Sequence, residues 1–95
     1  MNDHRQIDKT VHEPVRLVLL IYLNAQPEAT FNELLKRSGV SRGNLSSHLT
    51  KLSMAGLIAI EKSFEGNMPL TRVRIRQAGK DRLLAYWETM MGLIG

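Results

Sequence analysis

The chain has 95 residues, a formal net charge of +4 and 43% hydrophobic residues, which predicts one small domain with a single core and excludes a disordered chain. Its lack of cysteine excludes disulfides and thiolate metal sites. Residues 1–14 are polar and the apolar run of residues 15–23 is too short to cross a bilayer. We therefore expect a soluble cytoplasmic protein without a membrane partner.

The basic residues are concentrated after the first third of the chain. Residues 1–35 carry a net charge of −2, whereas residues 36–82 hold ten Lys and Arg side chains against three carboxylates, a net charge of +7. A basic block of this kind is typical of a protein that binds a polyanion. The alternative is a solvated basic surface.

The first helix is predicted to begin at Pro14, because proline suits the first helical turn, and to continue through Leu23. Apolar residues cover nearly its whole circumference, so we expect it to be the buried central helix. Residues 1–12 are predicted to be an N-terminal arm, either an extra helical turn or a loose segment, with Ile7 and Val11 as its apolar anchors.

Two more helices follow, joined by a short turn. A capping box beginning at Thr30 opens a helix over residues 31–37, and Ser41 caps a helix over residues 42–55. The turn of residues 38–40 contains a glycine. This order of helix, tight turn and helix predicts a helix-turn-helix.

The second of these helices has the features of a recognition helix. Leu45, Leu49 and Leu52 fall within about 60° of one another around the axis and predict the buried side. The opposite side is small, polar and basic, and no carboxylate occurs in residues 41–52. Such groups hydrogen-bond base edges and phosphates, and a helix about 10–12 Å across fits a major groove about 12 Å wide.

After this helix the apolar period changes to two, which predicts strands over residues 57–62 and 71–76 with the tip at residues 66–67. Arginines alternate with apolar residues along the second strand: Arg72, Arg74 and Arg76 on one face, Val73 and Ile75 on the other. A hairpin with an arginine-lined edge directly behind a recognition helix is predicted to be a wing. Neither predicted strand offers an exposed aromatic, which argues against RNA or single-strand binding.

Nine side chains are predicted to contact DNA: Arg42, Asn44, Ser46, Ser47, His48, Lys51, Lys62, Arg72 and Arg74. Arg42 and Asn44, in the first turn, are best placed to read guanine and adenine. The lysines are predicted to contact phosphates and the wing arginines to contact phosphates or the minor groove, with Lys62 as the cross-strand neighbour of the arginines. The alternative for Asn44 is a role in capping, and for His48 a packed, hydrogen-bonded position.

The last segment, residues 77–95, returns to helical period. One face carries five large side chains, Leu83, Tyr86, Trp87, Met90 and Ile94. This is more apolar surface than a small domain can cover, so we predict that these residues form the interface of a symmetric homodimer. A base-stacking role for Trp87 is the less favoured interpretation.

Several motifs together resemble the winged-helix transcriptional regulators of the MarR/ArsR type, and most of all the small stand-alone winged-helix DNA-binding domains. They are VSRGNLSSHL at residues 40–49, KSFEG at residues 62–66 and TRVRI at residues 71–75. The resemblance covers roughly residues 12–90. It implies a dimeric DNA binder that regulates transcription and dimerises through its terminal helices.

Two departures from the family pattern limit what the resemblance implies. Arg76 and Gln77 stand where the family usually has Thr or Ser at the start of the last helix. The three histidines, His4, His12 and His48, lack the spacing of ArsR-type metal ligands, so we predict no metal and no cofactor.

The sequence contains no catalytic set, so we do not expect an enzyme. We predict an α+β, mostly α fold: a single winged helix-turn-helix domain with a three-helix core, a two-stranded hairpin wing and a long C-terminal dimerisation helix. Residues 1–12 are the arm, 13–76 the winged helix and 77–95 the dimerisation helix. The predicted function is sequence-specific binding of a pseudo-palindromic duplex by a homodimer. The alternative is a protein-interaction winged helix within a larger assembly, and a small-molecule effector at the dimer seam stays open.

Overall fold

In a computed structural model, residues 6–95 form four helices and one three-stranded antiparallel sheet. The elements in chain order are α1 (Pro14–Ala25), β1 (Glu28–Thr30), α2 (Phe31–Ser38), α3 (Arg42–Met54), β2 (Ile58–Glu65), β3 (Met68–Ile75) and α4 (Gln77–Ile94). The predicted α+β, mostly helical winged helix-turn-helix is therefore confirmed, with the helices close to their expected bounds.

The helices begin where the capping residues of the sequence predict. α1 has Pro14 in its first turn. α2 opens with the reciprocal capping box of Thr30 and Glu33. α3 is capped by Ser41, whose hydroxyl accepts a hydrogen bond from the backbone N–H of Asn44 at 3.2 Å. At α4 no side-chain hydrogen bond caps the first turn, in keeping with the departure from the family pattern there.

Two glycines permit the tight turns that bring α2, α3 and the hairpin into place. Gly39 ends α2 with φ +67° and Gly66 lies at the hairpin tip with φ +63°. β2 and β3 remain paired up to Glu65 and Met68, so the connection is a two-residue turn. Glycine at the first central position is the preference of a type II′ hairpin. The predicted strand bounds, which leave residues 63–70 unpaired between the strands, are therefore wrong, whereas the predicted tip at residues 66–67 is correct.

The sheet contains a strand that the sequence does not reveal. β1 pairs with β3, with Ala29 opposite Val73, so the strand order is β1-β3-β2. The wing is thus anchored in a three-stranded sheet rather than being a two-stranded hairpin. A strand of three residues is too short to display a period of two, which is why the pattern missed it.

One hydrophobic core joins all four helices to the sheet. Its buried members are mostly leucines of α1, α2 and α3, with Val73 and Ile75 of β3 and Leu83 and Tyr86 of α4. Val18 and Ile21 of α1 are exposed, however. The expectation that α1 is covered on nearly all sides is therefore wrong, and one apolar side of this helix remains open.

The N-terminal segment packs against α4 instead of forming a loose arm. Residues 1–5 of the predicted arm lie outside the described residues. Val11 is fully buried, which confirms it as an anchor. Asp8 binds Arg82 of α4 through two hydrogen bonds, Nε to Oδ2 at 2.6 Å and Nη2 to Oδ1 at 3.0 Å. Backbone N–H groups of Thr10 and Val11 also donate to Asp8.

The ion pair of Asp8 and Arg82 makes the stability of the fold depend on acidity. The hydrogen bond from Arg82 lowers the pKa of Asp8 below its ordinary value. Because the pKa is lower in the folded state, the pair stabilises the protein above about pH 4, and the contribution is lost as the pH falls through the folded pKa. We expect Asp8→Asn to lower the free energy of unfolding by about 1–2 kcal/mol at pH 7 and by much less at about pH 3.

Urea unfolding at the two pH values measures this difference. Asp81→Asn is the matched control, because Asp81 is exposed and bonds the side chain of Gln77 at the surface. We expect the control to stay within about 0.5 kcal/mol of the unmodified protein. A loss for Asp8→Asn that is equal at both pH values would show that the ion pair is not its source.

Candidate nucleic-acid interface

The polar side of α3 is uncovered by the rest of the protomer. Leu45, Leu49 and Leu52 are buried as predicted. The other side is exposed and consists of Arg42, Gly43, Asn44, Ser46, Ser47, Thr50 and Lys51. α3 contains no carboxylate, so an approaching phosphate meets hydroxyls, an amide and cations.

This exposed side has two flanks. At about 100° per residue, Ser46 and Thr50 lie on one flank, whereas Asn44, Ser47 and Lys51 lie on the other. The first flank faces the sheet, since Ser46 and Thr50 line a cavity of about 200 Å³ together with residues of β2 and β3. The second flank faces away from the sheet. α3 therefore projects between the wing and the N-terminal side of the domain.

The two predicted base-reading residues differ in their surroundings. The guanidinium carbon of Arg42 lies 5.0 Å from the centroid of the Phe31 ring, and its Nη1 is 3.5 Å from Oδ1 of Asn32, so the start of α2 orients this side chain. The cap of α3 uses the backbone N–H of Asn44. Among residues 6–95 no partner occupies the Asn44 amide, which leaves it exposed for a ligand.

His48 is directed into the protein, against its predicted contact with DNA. Its Nδ1 lies 3.1 Å from Nη1 of Arg16 and 3.8 Å from Oε1 of Glu13. Because the guanidinium of Arg16 can only donate, Nδ1 of His48 accepts this hydrogen bond. The packed alternative is therefore correct: His48 joins α3 to α1 and does not line the exposed side.

The wing arginines do not share a surface with α3. Val73 and Ile75 point into the core, on the same face of β3 as Thr71, which lines the cavity beside α3, so the alternate residues Arg72 and Arg74 lie on the far face of the sheet. Arg72 Nε is 3.6 Å from Glu28 and its Nη2 is 3.9 Å from Glu65. The predicted contact of Arg72 and Arg74 with DNA stays a prediction, and any such contact would be made from the sheet face that is turned away from α3 and partly neutralised by carboxylates.

Lys62 lies on the opposite face of the hairpin from those arginines. Its partner across the strands is Thr71, whereas Arg72 faces Glu61. The predicted pairing of Lys62 with the arginines is therefore wrong by one residue of register. Lys62 instead lines the cavity beside Ser46 and Thr50, which makes it the cation of the wing that accompanies α3.

Phe64 is a surface residue that the sequence analysis overlooked. It belongs to β2 and is 74% exposed. Because it is two residues beyond Lys62, it lies on the same side of the hairpin, which faces α3. The expectation that no strand offers an exposed aromatic is therefore wrong. The signal was available in the pattern, since extending the period of two from residue 60 to residue 64 places Phe64 on this face.

The apolar face predicted for the last helix divides into buried and exposed parts. Leu83 and Tyr86 belong to the protomer core, Tyr86 being 4% exposed, and the Tyr86 hydroxyl lies 2.8 Å from Nδ1 of His12. Their assignment to a dimer interface is corrected. Met90 is partly buried, whereas four large side chains spanning about 80° of the helix surface are exposed: Leu84, Trp87, Met91 and Ile94.

The described residues contain no metal-binding cluster of three or more His, Asp or Glu side chains. No helix in residues 6–95 combines the length and the apolar character that crossing a membrane requires.

The comparisons with known proteins agree with this geometry. A family model described as the winged helix DNA-binding domain matches residues 15–94. No curated protein matches the chain significantly. Among solved structures, a transcriptional regulator homologue from Pyrococcus horikoshii OT3 is 28% identical with a TM-score of 0.82, covering 90% of this chain and 84% of that one.

Two further structures are similar at greater distance. The transcriptional repressor BigR from Xylella fastidiosa is 26% identical with a TM-score of 0.63, and the match covers 84% of this chain and 78% of the repressor. A MarR-family regulator from Silicibacter pomeroyi is 20% identical with a TM-score of 0.68, over 87% of this chain and 55% of that one, and shows the fold alone. The chain therefore belongs to the winged helix DNA-binding domain family.

Proposed function

We propose that the protein is a transcriptional regulator that binds duplex DNA sequence-specifically as a homodimer. The observation that carries this proposal is the exposed, carboxylate-free side of α3. Similarity to solved transcriptional regulators supports the regulatory role.

The chemistry of α3 suits a major groove. Gly43 and the small hydroxyl side chains let the helix backbone come close to base edges, while Asn44 offers the donor and acceptor that match adenine. Arg42 offers the paired donors that match guanine, whereas Lys51 and Lys62 border this helix and supply positive charge for phosphates. Base reading therefore comes from the first turn of α3, and positioning comes from the cations at its borders.

The apolar side chains that α4 and α1 expose support dimerisation, because a second copy of the chain can cover them. Leu84, Trp87, Met91 and Ile94 on α4 are exposed, as is Val18 on α1. Burying this surface between two copies removes it from water. A two-fold dimer presents two recognition helices about 34 Å apart, which matches successive major grooves and predicts a pseudo-palindromic operator.

Selection of bound fragments from a random duplex pool at about 50 mM salt tests the proposal, together with the sedimentation mass of the free protein. We expect an inverted repeat with half-sites about 10 base pairs apart and the mass of a dimer. If the dimer contacts roughly 6–10 phosphates, affinity should fall about 10³–10⁵-fold between 50 and 200 mM salt. Absence of duplex binding at low salt would overturn the proposal and favour a protein-docking role.

The role of Asn44 gives a sharper prediction. We expect Asn44→Ala to weaken binding to the selected site by about 1–3 kcal/mol and to relax the preference at one base position. Binding to a random duplex should change little, because phosphate contacts remain. Lys62→Ala is the control and should weaken both duplexes alike. Fluorescence anisotropy measures both affinities. If Asn44→Ala loses the same binding free energy on both duplexes, Asn44 contacts the DNA backbone rather than a base.

A further inference from the structure

A cationic cleft borders α3 on the flank away from the wing. It has a volume of about 330 Å³ and is lined by Lys9, Thr10, Arg16, Lys51 and Met54. Three of these side chains are cations and none is a carboxylate. Lys51 belongs to α3, whereas Lys9 comes from the N-terminal segment and was not among the predicted DNA contacts. The cleft therefore combines two parts of the chain that are 42 residues apart in sequence.

Arg16 builds this cleft and adds to its charge. The side chain is buried, 9% exposed. Its Nε donates to the carbonyl oxygen of Thr10 at 2.6 Å, and Nη2 donates to the carbonyl oxygen of Lys9 at 3.4 Å. Glu13 accepts a hydrogen bond from the backbone N–H of Arg16 at 2.7 Å and lies 3.8 Å from Nδ1 of His48, but within residues 6–95 no carboxylate lies within 4 Å of the guanidinium itself. Its positive charge is therefore not cancelled by an ion pair there.

The segment that carries Lys9 is held in place by more than Arg16. The neighbouring Asp8 is bound to Arg82 of α4, and Val11 is buried in the core. The backbone of Lys9, rather than its side chain, accepts the hydrogen bond from Arg16. The Lys9 ammonium is exposed and makes no ion pair with any carboxylate of residues 6–95, so it can be removed without disturbing this anchoring.

The position of the cleft matches the geometry of a helix in the major groove. Lys51 lies one turn beyond Ser47 on the flank of α3 that faces away from Ser46, Thr50 and the wing. A major groove is bordered by two phosphate backbones, one on each side of an inserted helix. The wing with Lys62 flanks α3 on one side, and the cleft flanks it on the other.

We infer that Lys51 and Lys9, whose backbone is held by Arg16, bind a phosphodiester of the DNA backbone on the side of α3 opposite the wing. This inference rests on the proposed function and adds the N-terminal segment to the interface. The same chemistry would accept a free phosphate, but the adjoining exposed flank of α3 favours a phosphate that is part of a duplex.

The salt dependence of binding to the selected duplex tests the inference. Each lost phosphate contact should reduce the slope of log affinity against log salt by about 0.9, so Lys9→Ala should reduce it by about two in a dimer. Lys51→Ala should do the same. Lys80→Ala is the matched control, because it removes the same charge from an exposed position on α4 outside the cleft and should leave the slope nearly unchanged. Thermal unfolding of Lys9→Ala should match that of the unmodified protein.

Neutral methylphosphonates, placed one at a time along the duplex, locate the contact. One position in each half-site should weaken the unmodified protein several-fold, have a smaller effect on Lys9→Ala, and have none on the variant that lacks both Lys9 and Lys51, as expected when these groups act through one interaction. Normal DNA binding with an unchanged slope for Lys9→Ala overturns this inference alone, whereas no duplex binding by the unmodified protein overturns the proposed function as well. Saturable binding of inorganic phosphate that depends on Lys9, without the slope change, would make the cleft a free-anion site and also overturn the inference.

Discussion

Replacing Gly79 by alanine is expected to lower the free energy of unfolding by about 3 kcal/mol, although alanine is the better helix former. Gly79 lies in the first turn of α4 and is buried. A Cβ at this position would overlap the backbone oxygen of Leu57 and lie 2.9 Å from Cγ1 of Ile75. The Leu57 oxygen cannot retreat freely, because it accepts the backbone N–H of Arg76 at 2.9 Å.

Gly43→Ala is the matched control for this experiment. Gly43 also lies in a helix, but no atom comes within 4 Å of a Cβ built on it. Alanine there should raise the free energy of unfolding by about 0.5–1 kcal/mol, because glycine is the poorer helix former. Urea unfolding followed by circular dichroism measures both variants. If Gly79→Ala also raised the free energy of unfolding, the contact of α4 with the Leu57 oxygen would not be tight.

The parts of the fold that the sequence predicts are those controlled by local interactions. The capping box at Thr30, the Ser41 cap and the glycine turn at Gly39 act within a few residues, and the structure contains all three. The leucine side of α3 follows from helical period alone. Local chemistry therefore predicts the helix-turn-helix and leaves the polar side of α3 facing outward.

The misplaced site residues depend on contacts between distant parts of the chain. Alternation along β3 correctly separates Arg72 and Arg74 from the apolar residues, but it does not reveal that Glu28 of β1 lies beside Arg72. His48 is turned inward by Arg16, which is 32 residues away in sequence. The period of a single helix or strand cannot predict such contacts, since they form only when separate elements pack together, as α1 packs against α3.

The cationic cleft has the same origin. The sequence pattern does not single out Lys9, because Asp8 and Thr10 beside it are also polar. The buried Arg16 brings this segment to the end of α3 by donating hydrogen bonds to its backbone carbonyl oxygens. Because every residue has a backbone carbonyl, these contacts leave no pattern in the sequence. A cation inside an otherwise apolar helix was the available signal, since a buried arginine requires several partners.

Leu49→Ala is expected to destabilise the protein by about 2–5 kcal/mol, a large part of the roughly 5–15 kcal/mol that stabilises a domain of ordinary stability. Leu49 lies in α3 between Leu45 and Leu52, is 2% exposed and belongs to the hydrophobic core. Truncation removes core contacts and leaves a cavity that the neighbouring helices fill incompletely. Met54→Ala is the control on the same helix, because Met54 is 84% exposed, and it should change stability by less than about 0.5 kcal/mol.

The comparison of stability with binding decides which side of α3 faces DNA. Because Leu49 lies on the side opposite the exposed hydroxyls and cations, Leu49→Ala should reduce binding only through the fraction of unfolded protein. Under conditions where circular dichroism shows the variant fully folded, its affinity for the selected duplex should equal that of the unmodified protein. A variant that unfolds at the same urea concentration as the unmodified protein but fails to bind would place the leucine side in the groove. That result would exclude the orientation of α3 on which base reading by Asn44 and phosphate binding by Lys51 depend.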